Sequence, residues 1–159
     1  MKILQKEIEK LLNLYNSKKL FKAESLNRKL IQNYPNVVIL YNILGLILTE
    51  QDRINEAIEI YEKGIEINPE YAMIYNNLGT IYKSRAEYKK AEYYYKKSIN
   101  LDNKISEPHN NLGSLYLAIN EIKKAELSFK RSLAINSKFY ISYYNLGILY
   151  KNIGKFKEA

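Results

Sequence analysis

Apolar positions along the chain fall into short helical stretches broken at regular intervals. Tyr75, Leu78 and Tyr82 stand at i, i+3 and i+7, one face of a helix, and Ala91, Tyr95 and Ile99 stand at i, i+4 and i+8, one face of another. Arg85-Ala86-Glu87 separates the two stretches, as Gln51-Asp52, Ile119-Asn120 and Ile153-Gly154 do elsewhere. Asn68-Pro69, Asp102-Asn103 and Asn136-Ser137 form a second set of breaks. The pattern predicts helix, tight turn, helix, tight turn, repeated.

The repeat has a constant length. Leu-Gly occurs at Leu44-Gly45, Leu78-Gly79, Leu112-Gly113 and Leu146-Gly147, evenly stepped along the chain. Tyr41, Tyr75, His109 and Tyr143 lie three residues before each Leu, and Leu48, Tyr82, Tyr116 and Tyr150 three after each Gly. Ala57, Ala91, Ala125 and Ala159 follow the glycines by twelve residues, and Tyr61, Tyr95 and Phe129 stand four beyond the first three alanines. A mid-helix Gly is destabilising by about 1 kcal/mol relative to Ala. Four in phase therefore imply that a neighbouring helix approaches too closely for a side chain. Each helical hairpin has an apolar stripe it cannot bury alone, so copies must stack.

This spacing resembles the tetratricopeptide repeat, a helix-turn-helix of about 34 residues whose signature is W-x2-L-G-x2-Y, then A-x3-F, then P. The resemblance implies an all-α fold, a right-handed superhelix of stacked helix-turn-helix units running through residues 1–159. Residues 38–71, 72–105 and 106–139 match as full repeats and 140–159 as a truncated one. Residues 4–37 match as a divergent one, with Ala23 and Pro35 in place but Leu11 where Gly is expected and Glu7 where the aromatic is expected. The apolar face of the last first helix (Leu146, Leu149, Tyr150, Ile153) has little sequence left to cover it, which predicts a longer array or self-association through the incomplete repeat.

Composition narrows the chemistry. There is no Cys and one His, so thiolate sites, cysteine nucleophiles and His-based metal clusters are excluded, and no cofactor is expected. Asn, Ile, Lys and Tyr supply 18, 21, 21 and 16 residues, a bias that lowers the weight of any single Tyr or Lys. The N-terminal segment interrupts its apolar residues with charge and does not read as a signal peptide, and no stretch reaches the ~20 apolar residues of a membrane span. The expectation is a soluble, cytoplasmic protein with no membrane contact.

The net charge of +8 is unevenly spread. Residues 4–37 carry +4, 38–71 carry −5, 72–105 carry +4, and 106–139 and 140–159 carry +2 each. An acidic repeat thus interrupts the basic ones. By the resemblance, second helices form the convex surface and hold most of the charge, including Glu56, Glu59, Lys89, Lys90, Lys96 and Lys97. The first helices line a concave groove with few charges, so a phosphate track is lacking and nucleic acid is not an expected partner. An RNA-binding helical repeat is further disfavoured because its usual period is one residue longer.

The groove-lining helices do carry amides. Asn77, Asn111 and Asn145 lie two residues before their glycines, and Asn42, Asn76 and Asn110 lie three before theirs. An Asn side chain offers donors and an acceptor without net charge, which suits a groove that holds a peptide backbone irrespective of its sequence. Asn-Asn-Leu-Gly at this spacing resembles the repeats of O-GlcNAc transferase and related arrays, whose asparagine ladder grips peptide. That resemblance would give the role to Asn77, Asn111 and Asn145, with Asn42, Asn76 and Asn110 beside the groove. Ile43 breaks the row one repeat earlier.

The family's carboxylate clamp for acidic C-terminal tails is absent. Its five places hold Asn42, Leu46, Asn77, Glu107 and Asn111, one match. His109 reads as a packing residue at an aromatic position, and of Tyr93-Tyr94-Tyr95 only Tyr95 is phased for the core. The expected function is a non-catalytic interaction module that binds a protein or peptide segment in its groove. The alternative is the substrate-recognising arm of a larger enzyme such as an O-GlcNAc-transferase-like glycosyltransferase.

Overall fold

The computed structural model describes residues 2–154, so the second helix expected after Gly154, with Ala159, lies outside the described residues. The described residues form α1 (Lys2–Asn16), α2 (Leu20–Asn33), α3 (Val38–Glu50), α4 (Ile54–Ile67), α5 (Ala72–Ser84), α6 (Tyr88–Leu101), α7 (Ser106–Ala118), α8 (Ile122–Ile135) and α9 (Tyr140–Asn152). Odd-numbered helices are the first and even-numbered helices the second of each hairpin. The chain is all-α, with the alternating short helices and tight turns of a tetratricopeptide solenoid.

Two kinds of turn recur along the described residues. Inside each hairpin one residue takes a left-handed conformation: Lys18 (φ 57), Asp52 (φ 61), Ala86 (φ 58), Asn120 (φ 61) and Gly154 (φ 74). Between hairpins a side-chain oxygen caps the backbone two residues on, from Asn68 to Glu70, Asp102 to Lys104 and Asn136 to Lys138, at 2.9–3.0 Å. No side-chain cap of the ordinary kind is seen at the starts of α2, α4, α6 or α8. The chain reverses by backbone geometry instead.

A β-carbon in the left-handed region is disfavoured by about 1–2 kcal/mol. Ala86→Gly removes that strain at the expense of about 0.5–1 kcal/mol of extra chain entropy. Ala86, exposed in its turn, loses no buried contact in the exchange. The variant is expected to unfold slightly later than the parent in a thermal melt, by about 0.5–1 kcal/mol.

The chain packs as two compact units, one running to Ile74 and the other from Tyr75 onward. In the first, α1, α2 and α3 bury Leu11, Ala23, Leu30, Leu40, Ile43 and Ile47, and α4 packs on α3. Leu11, where other repeats have glycine, is fully buried. The position that holds a ring in those repeats is Asn27 here, also fully buried, so the volume missing at the ring position returns at the glycine position. Asn27 donates its amide to the Leu40 carbonyl at 3.0 Å. The divergent first repeat is thus a compensated one.

In the second unit, α6, α7, α8 and α9 surround Tyr95, Leu115, Phe129 and Leu149, with Ala91 and Ala125 in the same buried cluster. The phased glycines explain themselves. A β-carbon on Gly79 would lie 2.6 Å from the Tyr95 ring, and one on Gly113 would lie 2.7 Å from the Phe129 ring. Gly45 meets Tyr61 in the same way in the first unit. The second-helix rings of Tyr61, Tyr95 and Phe129 occupy the space that a side chain at these glycines would fill.

Candidate functional site

The two asparagine rows sit on adjacent positions of the first helices, about 100° apart around the axis. That rotation separates their environments. Asn76 is fully buried, Asn110 is 5% exposed and Asn42 7%. Asn77, Asn111 and Asn145 remain half-buried. In the second unit the rows are joined to each other: Asn111 donates its amide to Asn76 Oδ1 at 2.9 Å, and Asn145 donates to Asn110 Oδ1 at 2.9 Å. The separation along the chain is 35 residues in both pairs. Each bond runs from the half-buried amide of one first helix to the buried amide of the preceding one.

Asn110 serves several partners at once. Its Oδ1 also accepts from the Ser142 hydroxyl at 3.0 Å, and Ser142, fully buried, shares a hydrogen bond with Ser132 at 2.9 Å. The Asn110 amide nitrogen lies 3.4 Å from Asn111 Oδ1. The buried row therefore orients the half-buried row. Asn111 and Asn145 have one amide N–H fixed by a carbonyl below, which sets the direction in which the rest of each amide points.

Little charge accompanies them. Lys83 donates to Ser114 on the next first helix at 2.6 Å, and burial pushes its ammonium below the usual lysine range. Burial pushes the Tyr95 phenol up to about 12, and its hydroxyl donates to Thr80 at 3.3 Å. In the first unit, Glu50 accepts from Lys18 and Tyr15, both at 2.6 Å, which holds its carboxyl below the usual range. Arg53 there joins Glu24 and Glu56 at 2.8 and 2.7 Å. Among the described residues no group of three or more His, Cys, Asp or Glu is placed to hold a metal, and no helix is long and apolar enough to cross a membrane.

The tyrosine triplet divides by burial. Tyr95 is 1% exposed and belongs to the core, while Tyr93 is 62% exposed. Tyr94, which the phasing leaves outside the core, stacks on Tyr82 at 5.2 Å and meets Tyr75 at 6.4 Å, building an aromatic cluster between α5 and α6. His109 is 8% exposed and packs as its position predicts, but it also lines a cleft against Arg131 that no sequence spacing announces.

Comparison with known proteins places the fold. Tetratricopeptide-repeat family models match residues 36–104, 106–139 and 128–159. No curated protein matches the chain. Among solved structures, PilF of Pseudomonas aeruginosa is similar with a TM-score of 0.87 at 18% identity, over 99% of this chain and 72% of that one. PilW, a widely conserved type IV pilus biogenesis factor, gives 0.86 at 18% identity over 100% and 74%. MamA gives 0.73 at 23% identity over 92% and 85%. At these identities the likeness speaks for fold alone. With repeat matches through most of its length, hairpins that recur at a constant step and glycines closed by second-helix rings, the chain belongs to the tetratricopeptide-repeat family.

Proposed function

We propose that the protein is a non-catalytic interaction module and that the first-helix face of its second unit holds an extended segment of a partner protein. The observation that supports this most directly is the fixed orientation of Asn111 and Asn145 by Asn76 and Asn110. Amides held in place before binding lose little rotamer freedom when a ligand arrives. Each retains acceptor capacity and a second N–H, the complement of a peptide C=O and N–H. Asn77 extends the half-buried row by one repeat. Asn42, Asn76 and Asn110 act as supports in this reading, since buried side chains present almost no surface to a ligand.

Asn145→Ala is the cleanest test, because Asn110 Oδ1 keeps the Ser142 hydroxyl when the Asn145 amide is removed. Extended peptides selected from a random library on the parent protein are expected to bind this variant about five- to tenfold more weakly, the worth of one or two neutral hydrogen bonds. Unchanged affinity for all selected peptides would remove the amide row from the ligand contact.

We also propose that α9 contributes a contact between copies of the protein. The aromatic position before the glycine motif is 6–8% exposed at Tyr41, Tyr75 and His109 but 52% exposed at Tyr143. Tyr140, Ile141 and Tyr144 on the same helix are 76%, 56% and 70% exposed. These make a contiguous apolar surface of the kind that marks an interaction site. Sedimentation is expected to show concentration-dependent association that Tyr140→Glu with Tyr144→Glu abolishes. A parent protein that stays monomeric throughout would contradict it.

A further inference from the structure

His109 occupies, on α7, the position that tyrosine holds on α3, α5 and α9. Two positions along a helix are a rotation of about 200°, so whatever His109 faces is separate from the amide row of Asn111. It lines two adjoining clefts of about 600 and 330 Å³ in the second unit, which share Ile99, Asn100, His109 and Arg131. The larger adds Asn103 and Lys130 as polar groups, with Ala134 and Ile135 as an apolar wall.

The charge here is one-sided. Lys96 from α6 and Lys124, Lys130 and Arg131 from α8 line the two clefts, with Tyr116 from α7 as a further titratable group and no carboxylate. The three lysines are each paired on their own helix or at its start, with Glu92 at 2.7 Å, Glu121 at 3.5 Å and Glu126 at 2.6 Å. Among the described residues no carboxylate lies within ion-pair distance of Arg131. The imidazole beside it is 8% exposed, and its pKa is lowered by burial and then by the Arg131 charge, against a hydrogen bond with the Asn103 backbone. At neutral pH His109 is therefore uncharged and keeps one ring nitrogen as an acceptor.

A free guanidinium, two side-chain amides and a neutral imidazole define what would satisfy them. The guanidinium fork takes two oxygens of an anion. A carboxylate has only those two and carries no proton at neutral pH. A phosphate monoester has three non-bridging oxygens, enough for the fork and an amide, and its second ionisation near pH 6 lets it share a proton with the imidazole. The volume is that of a small-molecule site, and Ile99, Ala134 and Ile135 offer a surface for an apolar body. We propose that the cleft between α6 and α8, with Arg131, His109, Asn100 and Asn103 around it, binds the phosphate monoester of a small molecule.

The chain has a single histidine, so its ring protons report on the site without assignment. The histidine NMR titration is recorded in sodium chloride, inorganic phosphate, phenyl phosphate and benzoate at one ionic strength. In chloride the titration is expected below 6.5, the ordinary histidine value, and saturating phenyl phosphate is expected to move it above that value. Phenyl phosphate is expected to bind more tightly than inorganic phosphate by calorimetry, and Arg131→Gln to weaken it about tenfold or more. Lys123→Gln, on the exposed side of α8, is expected to leave both readings unchanged. A titration indifferent to phenyl phosphate, an equal response to benzoate, or an Arg131→Gln variant that responds like the parent would each overturn the proposal.

Discussion

Gly113→Ala is expected to destabilise the protein by about 1–2 kcal/mol, opposite in sign to what helix propensity alone dictates. In an exposed helix interior the exchange gains about 0.5–1 kcal/mol. Here the new β-carbon would lie 2.7 Å from two atoms of the Phe129 ring and 3.2 Å from the Ala125 carbonyl oxygen. Neither can yield cheaply, because Phe129 and Ala125 are fully buried and the carbonyl belongs to a helix. Overpacking of this kind costs typically about 1–3 kcal/mol, more than the propensity gain. Chemical denaturation checks the sign directly, and Gly79→Ala against Tyr95 repeats the experiment one repeat earlier. A double-mutant cycle of Gly113→Ala with Phe129→Leu isolates the ring: the double variant is expected to lose less than the sum of the singles. A Gly113→Ala protein more stable than its parent would mean that close helix approach is not why the glycines recur.

The hairpins were legible because helical periodicity and the constant repeat spacing are both written in apolar residues. The turns were not. The left-handed position holds Lys18, Asp52, Ala86 and Asn120, four residue types, and only Gly154 advertises it. The first repeat reads as degenerate when Leu11 is judged alone, and as compensated once Asn27 is found at the ring position. Both asparagine rows were visible as rows, each stepping by one full repeat. Their difference in burial was not, since Asn76 and Asn77 are neighbours in sequence and only the packing of α7 on α9 and its counterparts decides which side is covered. The bonds between rows span 35 residues, a spacing that comparing like positions passes over. At His109 the exchange of ring for imidazole was plain, whereas the lack of a carboxylate beside Arg131 depends on which glutamates its lysine neighbours engage.

Asn110→Leu is the second large effect, expected at about 2 kcal/mol of lost stability from stranded polar groups, and it bears on the amide row as well. Leu keeps the branching and heavy-atom count of Asn but adds bulk, so overpacking adds to the polar loss. Asn145 loses its acceptor at 2.9 Å and Ser142 loses one at 3.0 Å. Asn145 is half-buried and can turn to water, but Ser142 is fully buried and keeps only Ser132. Stranding buried polar groups costs about 1–3 kcal/mol, whereas removing both partners together is nearly neutral. Adding Ser142→Ala and Ser132→Ala to Asn110→Leu removes the buried hydroxyl pair together and is therefore expected to restore part of the stability, as read from the denaturation midpoint. Peptide affinity is expected to stay low in that restored variant, because nothing then orients the Asn145 amide. Recovery of stability and affinity together would show that Asn110 serves the fold alone; recovery of stability without affinity would separate the supporting row's two roles.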